Sequence, residues 1–274
     1  AFASATEEGV SYALDAIAIP KYFSVSAESQ VTFSPGNLQY HPKNKVWRFA
    51  PSQLDYIGSG NKKISSTYNS WLDLFDWTLS DWSSNQIGDD VPNTWRTLTK
   101  DEWLYLLDTR TNAFSLRGVA QVNGVNGLIL LPDNWICPTG YSIAKVNDNE
   151  NLQLDVNNYS QADWSILEDG GAIILPAAGV RYENGALLVQ DTNIFGGYWT
   201  CTSKDMQQSY CYNFHIQNCS YVDYSYHEYG RSVRLVHDTI VQKVEPAYVE
   251  LLSVSKLPTN SVVRIGGTVE QRNS

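Results

Sequence analysis

Two stretches, Thr99-Lys-Asp-Glu-Trp-Leu104 and Ser160-Gln-Ala-Asp-Trp-Ser165, share one pattern. In each, a hydroxyl residue stands three positions before a carboxylate. At that spacing the hydroxyl caps the backbone N–H of the third helical residue, while the carboxylate reaches back to the N–H of the cap. Asp163 is shorter than Glu102, so the second box is the weaker version. The spacing predicts helices over 99–109 and 160–168, each carrying a Trp (Trp103, Trp164) that should be buried. An apolar strand stopped by proline follows each helix, Gly127-Leu-Ile-Leu-Leu-Pro132 and Gly171-Ala-Ile-Ile-Leu-Pro176. Two helices beside a small, mainly antiparallel sheet define an α+β fold.

Working outward, residues 1–22 form a lead-in in which Val10–Ile19 is apolar and ends at Pro20, fitting a short helix or an edge strand. From Phe23 the chain turns to short strands: Phe23-Ser-Val-Ser, Val31-Thr-Phe, a turn at Ser34-Pro-Gly-Asn37, then Val46-Trp-Arg-Phe49. Residues 69–95 hold Trp71, Trp77, Trp82 and Trp95 among Ser, Asp, Asn and Gly without a clean period, which reads as a long loop pinned by aromatics. Beyond Gly185 come Leu187-Leu-Val, Tyr198-Trp-Thr-Cys201, Tyr210–Phe214 and Ser232–Val236 as strand candidates. Residues 239–274 form a separate stretch in which 249–254 and 262–269 can pair as a hairpin, either an appended ribbon or the start of a further domain.

Composition narrows the function. The net charge is −10, and Lys62-Lys63 is an isolated basic pair, so no stripe exists to neutralise phosphates and nucleic acid is not an expected partner. Apolar runs such as Leu128–Leu131 fall far short of the roughly 20 residues that span a bilayer. The opening Ala1-Phe-Ala-Ser-Ala5 resembles the small-residue surroundings of a signal cleavage site, which makes an exported, surface or extracellular location the expectation.

The chemistry-bearing motifs are few. Four cysteines (Cys137, Cys201, Cys211, Cys219) contain no Cys-x-x-Cys pair, so structural zinc is not expected. A turn centred on Met206 would set Cys201 opposite Cys211 and allow a disulfide in an oxidising compartment. Asn147-Asp-Asn-Glu-Asn151 with Asp155 and Asn157-Asn158 offers oxygen ligands but lacks the spacing and glycine of an EF-hand, so a solvated loop is expected and no metal. No P-loop, Gly-x-Ser-x-Gly or His-Glu-x-x-His occurs, and His41, His215, His227 and His237 are scattered. No catalytic residue and no cofactor are expected.

One window stands apart. Residues 198–229 hold 7 of the 17 Tyr, where chance would place about two, together with Cys201, Cys211 and Cys219 and a single basic residue, Lys204. Tyrosine gives large, rigid contact area with a polar tip, and Ser and Asn add adaptable hydrogen bonds. The expected ligand-binding residues are Trp199, Tyr210, Tyr212, Tyr221, Asp223, Tyr224, Tyr226 and His227. Because side chains alternate along a strand, some of these must face the core. Ser220–Tyr229 lacks the apolar run of a buried strand and belongs on a loop or sheet face.

Seven segments occur together in order over about 23–238: Asn37-Leu-Gln-Tyr40, Trp47-Arg-Phe49, Tyr68–Phe75, Arg96–Trp103, Leu175-Pro-Ala-Ala-Gly-Val-Arg181, Gly197-Tyr-Trp-Thr-Cys-Thr-Ser203 and Gly230-Arg-Ser-Val-Arg-Leu-Val236. This ordered set resembles the C-type-lectin-like fold in its formylglycine-generating-enzyme (sulfatase-modifying) form, in the major-paralogous-domain branch of bacterial secreted proteins. The resemblance implies two helices flanking a small sheet, with long loops over a ligand-binding side. The enzyme form needs two reactive cysteines a few residues apart. Here Cys201 precedes Cys211 by ten and Cys219 follows it by eight, so that pair is missing. The Tyr-Ser-Asn-Asp-His-Cys mixture in 198–229 also resembles the variable region of lectin-fold proteins diversified by retroelements. Three readings follow: a secreted or surface binding module for a protein or glycan, an enzyme related to formylglycine generation, and a structural subunit of a surface assembly or adhesin.

Overall fold

The computed structural model describes residues 6–7, 10–11, 21–77, 82–143, 154, 156–183 and 187–239. Most of the lead-in, the loop 147–151 with Asp155, and the expected C-terminal hairpin lie outside the described residues. The chain divides into two compact units, Ala1–Thr239 and Ile240–Ser274, and the described fold is that of the first.

This unit is α+β and mostly β, built from several small sheets. Strands β1 (Thr6–Glu7) and β2 (Val10–Ser11) pair with each other. An antiparallel sheet runs in the order β3 (Phe23–Ser24), β4 (Gln30–Phe33), β17 (Leu235–Asp238), β7 (Arg96–Thr97). Strands β5 (Leu38–His41) and β6 (Val46–Phe49) form a hairpin, as do β12 (Val180–Glu183) and β13 (Leu187–Gln190). The central sheet has the order β10 (Asn158–Tyr159), β8 (Arg117–Val122), β9 (Val125–Leu130), β11 (Ile173–Pro176), antiparallel except between β10 and β8. A three-stranded antiparallel sheet of β14 (Phe195–Ser203), β15 (Gln208–His215) and β16 (Asn218–Tyr226) completes the unit.

Both helices start where their boxes place them. Before α1 (Lys100–Leu104), the Glu102 N–H donates to Thr99 Oγ1 at 3.1 Å and the Thr99 N–H donates to Glu102 Oε2 at 2.7 Å. Before α2 (Gln161–Asp169), Ser160 and Asp163 exchange the same bonds at 3.2 and 3.1 Å, so the shorter carboxylate also closes its box. The first helix differs from the expected 99–109: after five α-helical residues it widens into a π-helical turn, Tyr105–Thr109. The Arg110 N–H closes that turn on Tyr105 O at 2.8 Å. Its buried guanidinium donates to Leu106 O (2.7 Å), Leu131 O (3.0 Å) and Asp133 Oδ1 (2.8 Å), clamping the helix end to the chain that leaves β9. A strand candidate also moves: Ser232–Val236 is replaced by β17, which starts at Leu235.

Alternation along the central sheet divides its side chains between two cores. Val119, Leu128, Leu130, Ile173 and Leu175 join Trp103, while Ala120, Val122, Ile129, Leu131 and Ile174 join Trp164 and Leu167. Both tryptophans are buried as expected. The three-stranded sheet repeats the arrangement: Tyr198, Tyr212 and Phe214 enter the Trp103 core, and Trp199 and Cys211 enter a third core with Leu38, Phe75, Trp82 and Leu235. The Trp-rich loop therefore works as packing, with Trp82 fully buried.

Polar cross-links fix the loops over these cores. Buried Asp73 accepts from the Asn61 side-chain amide at 2.8 Å and from the Ile57 N–H at 2.8 Å, while Asn61 Oδ1 accepts the N–H groups of Asp73 and Leu74 at 2.9 and 3.0 Å. Arg234, also buried, donates to Gln53 Oε1 at 2.7 Å, and Gln53 donates onward to Glu168 at 2.6 Å.

Truncating a fully buried Trp removes contacts with both sheets, so Trp103→Ala should lower unfolding stability by about 3–5 kcal/mol in a denaturant titration. An unchanged midpoint would refute the packing. Burial pushes the Asp73 carboxyl up to about 6, although its bonds to Asn61 and Ile57 pull the other way. Its folded pKa thus lies above the ordinary unfolded value of about 3.9, so burying the charge costs nothing below roughly pH 4 and on the order of 3 kcal/mol by pH 7. Asp73→Asn removes the titration. The stability of wild type relative to this variant should therefore fall as pH rises from 4 to 7, measured by denaturant unfolding at each pH; a constant difference would show that Asp73 does not titrate there.

Candidate ligand-binding face

The eight expected ligand residues all lie on β14, β15, β16 or the turn after them, and cross-strand register sorts them. Tyr226 stands opposite Gln208, Tyr224 opposite Tyr210 and Val222 opposite Tyr212, so these side chains share one face. Tyr221 opposite Asn213 and Asp223 opposite Cys211 share the other, with Trp199 across from Cys211.

Two of the eight are corrections. Trp199 and Tyr212 are both 0% exposed. Trp199 donates its indole N–H to Phe75 O at 2.6 Å, and Tyr212 stacks on Trp103 with ring centroids 4.9 Å apart. Each sits where β14 or β15 is covered on the side it faces, so both hold the core and neither reaches solvent. His227 also has a structural place: it is half-buried, stacks on Trp77 at 4.7 Å and bonds Ser209 Oγ through Nε2 at 2.9 Å.

The remaining residues form two exposed regions on opposite sides of one edge. Tyr221, Tyr224 and Tyr226 keep 51%, 45% and 43% exposure, while Tyr210 is half-buried. On the Tyr224 face, Lys204 Nζ lies 2.9 Å from the Tyr224 ring centroid and donates to Gln208 Oε1 at 2.9 Å, and Lys100 Nζ lies 4.6 Å from the Tyr210 centroid. These lysines were not among the expected residues. Lys204 lies in the window, but Lys100 sits about a hundred residues away, in the first turn of α1, and a linear reading gives no sign that it meets Tyr210. On the Tyr221 face, Arg231 is buried beneath the strands and donates to Asn213 Oδ1 (2.7 Å) and Ser225 Oγ (3.0 Å). Gly197 makes room for it, since a Cβ there would collide with Arg231 Nη1. Desolvation, then the neighbouring Asp223, raises the Tyr221 phenol above its ordinary value, and Arg231 opposes the shift.

The cysteine expectation is also corrected. The turn around Met206 holds, because Ser203 pairs with Ser209, but a bulge then adds residues to β14 and Cys211 falls opposite Trp199. Cys201 is carried out to the surface, where its N–H bonds Leu98 O at 3.1 Å. Cys137, Cys201 and Cys211 are free thiols, and the Cys219 side chain lies outside the described residues. Desolvation holds the Cys201 thiol above its ordinary value, with Glu102 adding to the shift, and burial raises Cys211.

Comparison with protein-family models, curated proteins and solved structures finds no match to this chain. Among the described residues no group of three or more His, Cys, Asp or Glu converges as a metal site, and no helix is long and apolar enough to cross a membrane.

Alkylation of the native protein should label Cys137 and Cys201 and spare Cys211 until the chain is unfolded, read by peptide mass mapping. A Cys201–Cys211 disulfide in the non-reduced map would overturn the bulged register.

Proposed function

We propose that this chain is a non-enzymatic ligand-binding module of C-type-lectin-like architecture, displayed on the bacterial surface or secreted, which takes a protein or glycan ligand at the exposed end of the β14–β15–β16 sheet. The observation that carries this reading is the exposure of Tyr221, Tyr224 and Tyr226 on a strand whose neighbours are anchored in two cores. Half-exposed aromatic rings on a rigid support lose little entropy when a partner desolvates them, which is how tyrosines come to dominate binding energy. The ordered segments that resemble the lectin-like fold support the architecture, and the two capped helices beside small sheets agree with it at the coarser α+β level.

Thiol chemistry favours binding over oxidation. Formylglycine-type turnover needs an accessible thiolate with a second sulfur beside it, whereas among the described thiols Cys211 is buried under a raised pKa opposite Trp199, and Cys201, though exposed, is out of register with it. The exposed positions 221, 224 and 226, with half-buried Asp223 between them, lie on an edge strand, where substitutions disturb one neighbouring strand instead of two. That placement suits a segment diversified by a retroelement.

The test is a glycan and surface-protein array probed with wild type and with Tyr221, Tyr224 and Tyr226 changed together to Ala. Binding should fall by about 30-fold or more, the loss expected of a hot spot, while unfolding stability changes by no more than about 2 kcal/mol. Collapse of stability with binding per folded molecule preserved would assign these tyrosines to the core.

A further inference from the structure

Among the described residues no strand pairs with the outer side of β16, which lies beside the tyrosines. β16 is the edge strand of its sheet, nine residues long, and from Tyr226–Gln208 to Tyr221–Asn213 its pairing with β15 is unbroken. The His227 N–H donates to Gln207 O at 2.9 Å, and Thr200 Oγ1 donates to Tyr210 O at 2.9 Å. Counted along the ladder, odd-numbered residues of β16 turn their N–H and C=O groups toward β15, and Val222, Tyr224 and Tyr226 turn theirs away from the sheet. Tyr226 O is taken by the Tyr229 N–H at 3.1 Å, which leaves the Val222 and Tyr224 groups and the Tyr226 N–H facing outward. Natural edges are usually blunted by Lys, Pro, bulges or shortness; β16 has a register shift between Asn218 and Tyr221, but Tyr221-Val-Asp-Tyr-Ser-Tyr226 beyond it runs in unbroken register without Lys or Pro, its one charge being Asp223.

We propose that β16 accepts an extended peptide segment of a partner protein as an added antiparallel strand, selected by one acidic and one basic side chain at successive positions. This deepens the ligand-face reading and rests on it. Charge placement identifies the occupant. In an antiparallel pair, residues directly opposite each other share a face. A partner residue opposite Tyr224 therefore lies on the side where Lys204 rests on the tyrosine ring, hydrogen-bonded to the neutral Gln208 amide, with the Asp205 carboxylate its neighbour in the turn. The next partner residue lies opposite Asp223, on the other face. An acid followed by a base, in the N-to-C direction of the added strand, meets both charges. A second copy of this chain fits less well. The pairing centred on Asp223 would set that carboxylate against its own copy, and two chains of net charge −10 repel each other.

The test uses the full chain and the fluorescent peptide Thr-Val-Thr-Glu-Lys-Val-Thr-Thr, followed by anisotropy. Its comparison peptides carry Lys-Glu in place of Glu-Lys, or N-methyl groups on both valines and the glutamate, which block the amides that would face β16. The Glu-Lys peptide should bind roughly tenfold more tightly than Lys-Glu, and N-methylation should abolish binding. Tyr224→Ala removes the ring alone, whereas Tyr224→Pro also removes one outward N–H, a change that edge strands tolerate. The Pro variant should bind at least about tenfold more weakly than the Ala variant. Equal binding of the N-methylated peptide would overturn strand addition, and that result does not depend on any variant folding. Failure to bind any peptide while array binding persists would overturn it and leave the ligand face standing. A concentration-dependent dimer abolished by Tyr224→Pro, with no peptide bound, would overturn the partner peptide in favour of a second copy. Peptide binding that survives the triple alanine change, with array binding absent, would support strand addition at the edge and overturn its dependence on the tyrosine face.

Discussion

The stack of Trp103 on Tyr212 ties the first helix to the three-stranded sheet inside a core that the central sheet also lines. Trp103 comes from a helix whose α-helical part is only five residues long, too short to be stable alone. Its position is set by the Thr99–Glu102 box at one end and the Arg110 clamp at the other. One face of the indole meets the phenol of Tyr212, and the core around it includes Val119, Leu128 and Leu175 from the central sheet. The three-stranded sheet is thereby oriented against the central one, with Val222 of β16 packed on the shared core and Tyr221, Tyr224 and Tyr226 exposed.

This arrangement explains why a Tyr-rich window is not uniformly a binding surface. The period-two alternation of a strand would give one buried and one wet face if only one side were packed. Here Tyr198 and Tyr212 pack on one side and Trp199 and Cys211 on the other, so burial is decided by distance from the edge as well as by parity. Tyr210 marks the boundary, half-buried beneath Lys100, and Tyr224 across from it on β16 is exposed.

Helix starts were legible in the sequence because a capping box is a local device: its donors and acceptors lie within four residues. The burial of Trp103 and Trp164 was legible because a large apolar ring on a short capped helix has to be buried somewhere, although their partners were not. What stayed hidden depended on contacts distant in sequence or on a departure from regular register. The bulge in β14 cannot be read from residue types, and it alone displaced Cys201 from Cys211. The π-helical turn after Leu104 depends on the buried bonds of Arg110 to Leu131 and Asp133, more than twenty residues ahead. The core roles of Trp199 and Tyr212 depend on Phe75 and Trp103, each about a hundred residues away or more.

Cationic side chains on an acidic chain acquire meaning from the same geometry. Lys100 and Lys204 arrive from different elements, the first turn of α1 and the β14–β15 turn, yet both come to rest on rings of one sheet face. A lysine laid on an aromatic ring keeps its charge available on the ring's outer side, because the attraction comes from the quadrupole of the π system and does not neutralise it. Asp223, one residue before Tyr224, points to the opposite face by strand parity. Opposite charges are thus separated across the thickness of a single strand, and an approaching chain can satisfy both only if it too is extended and alternates its side chains with a period of two.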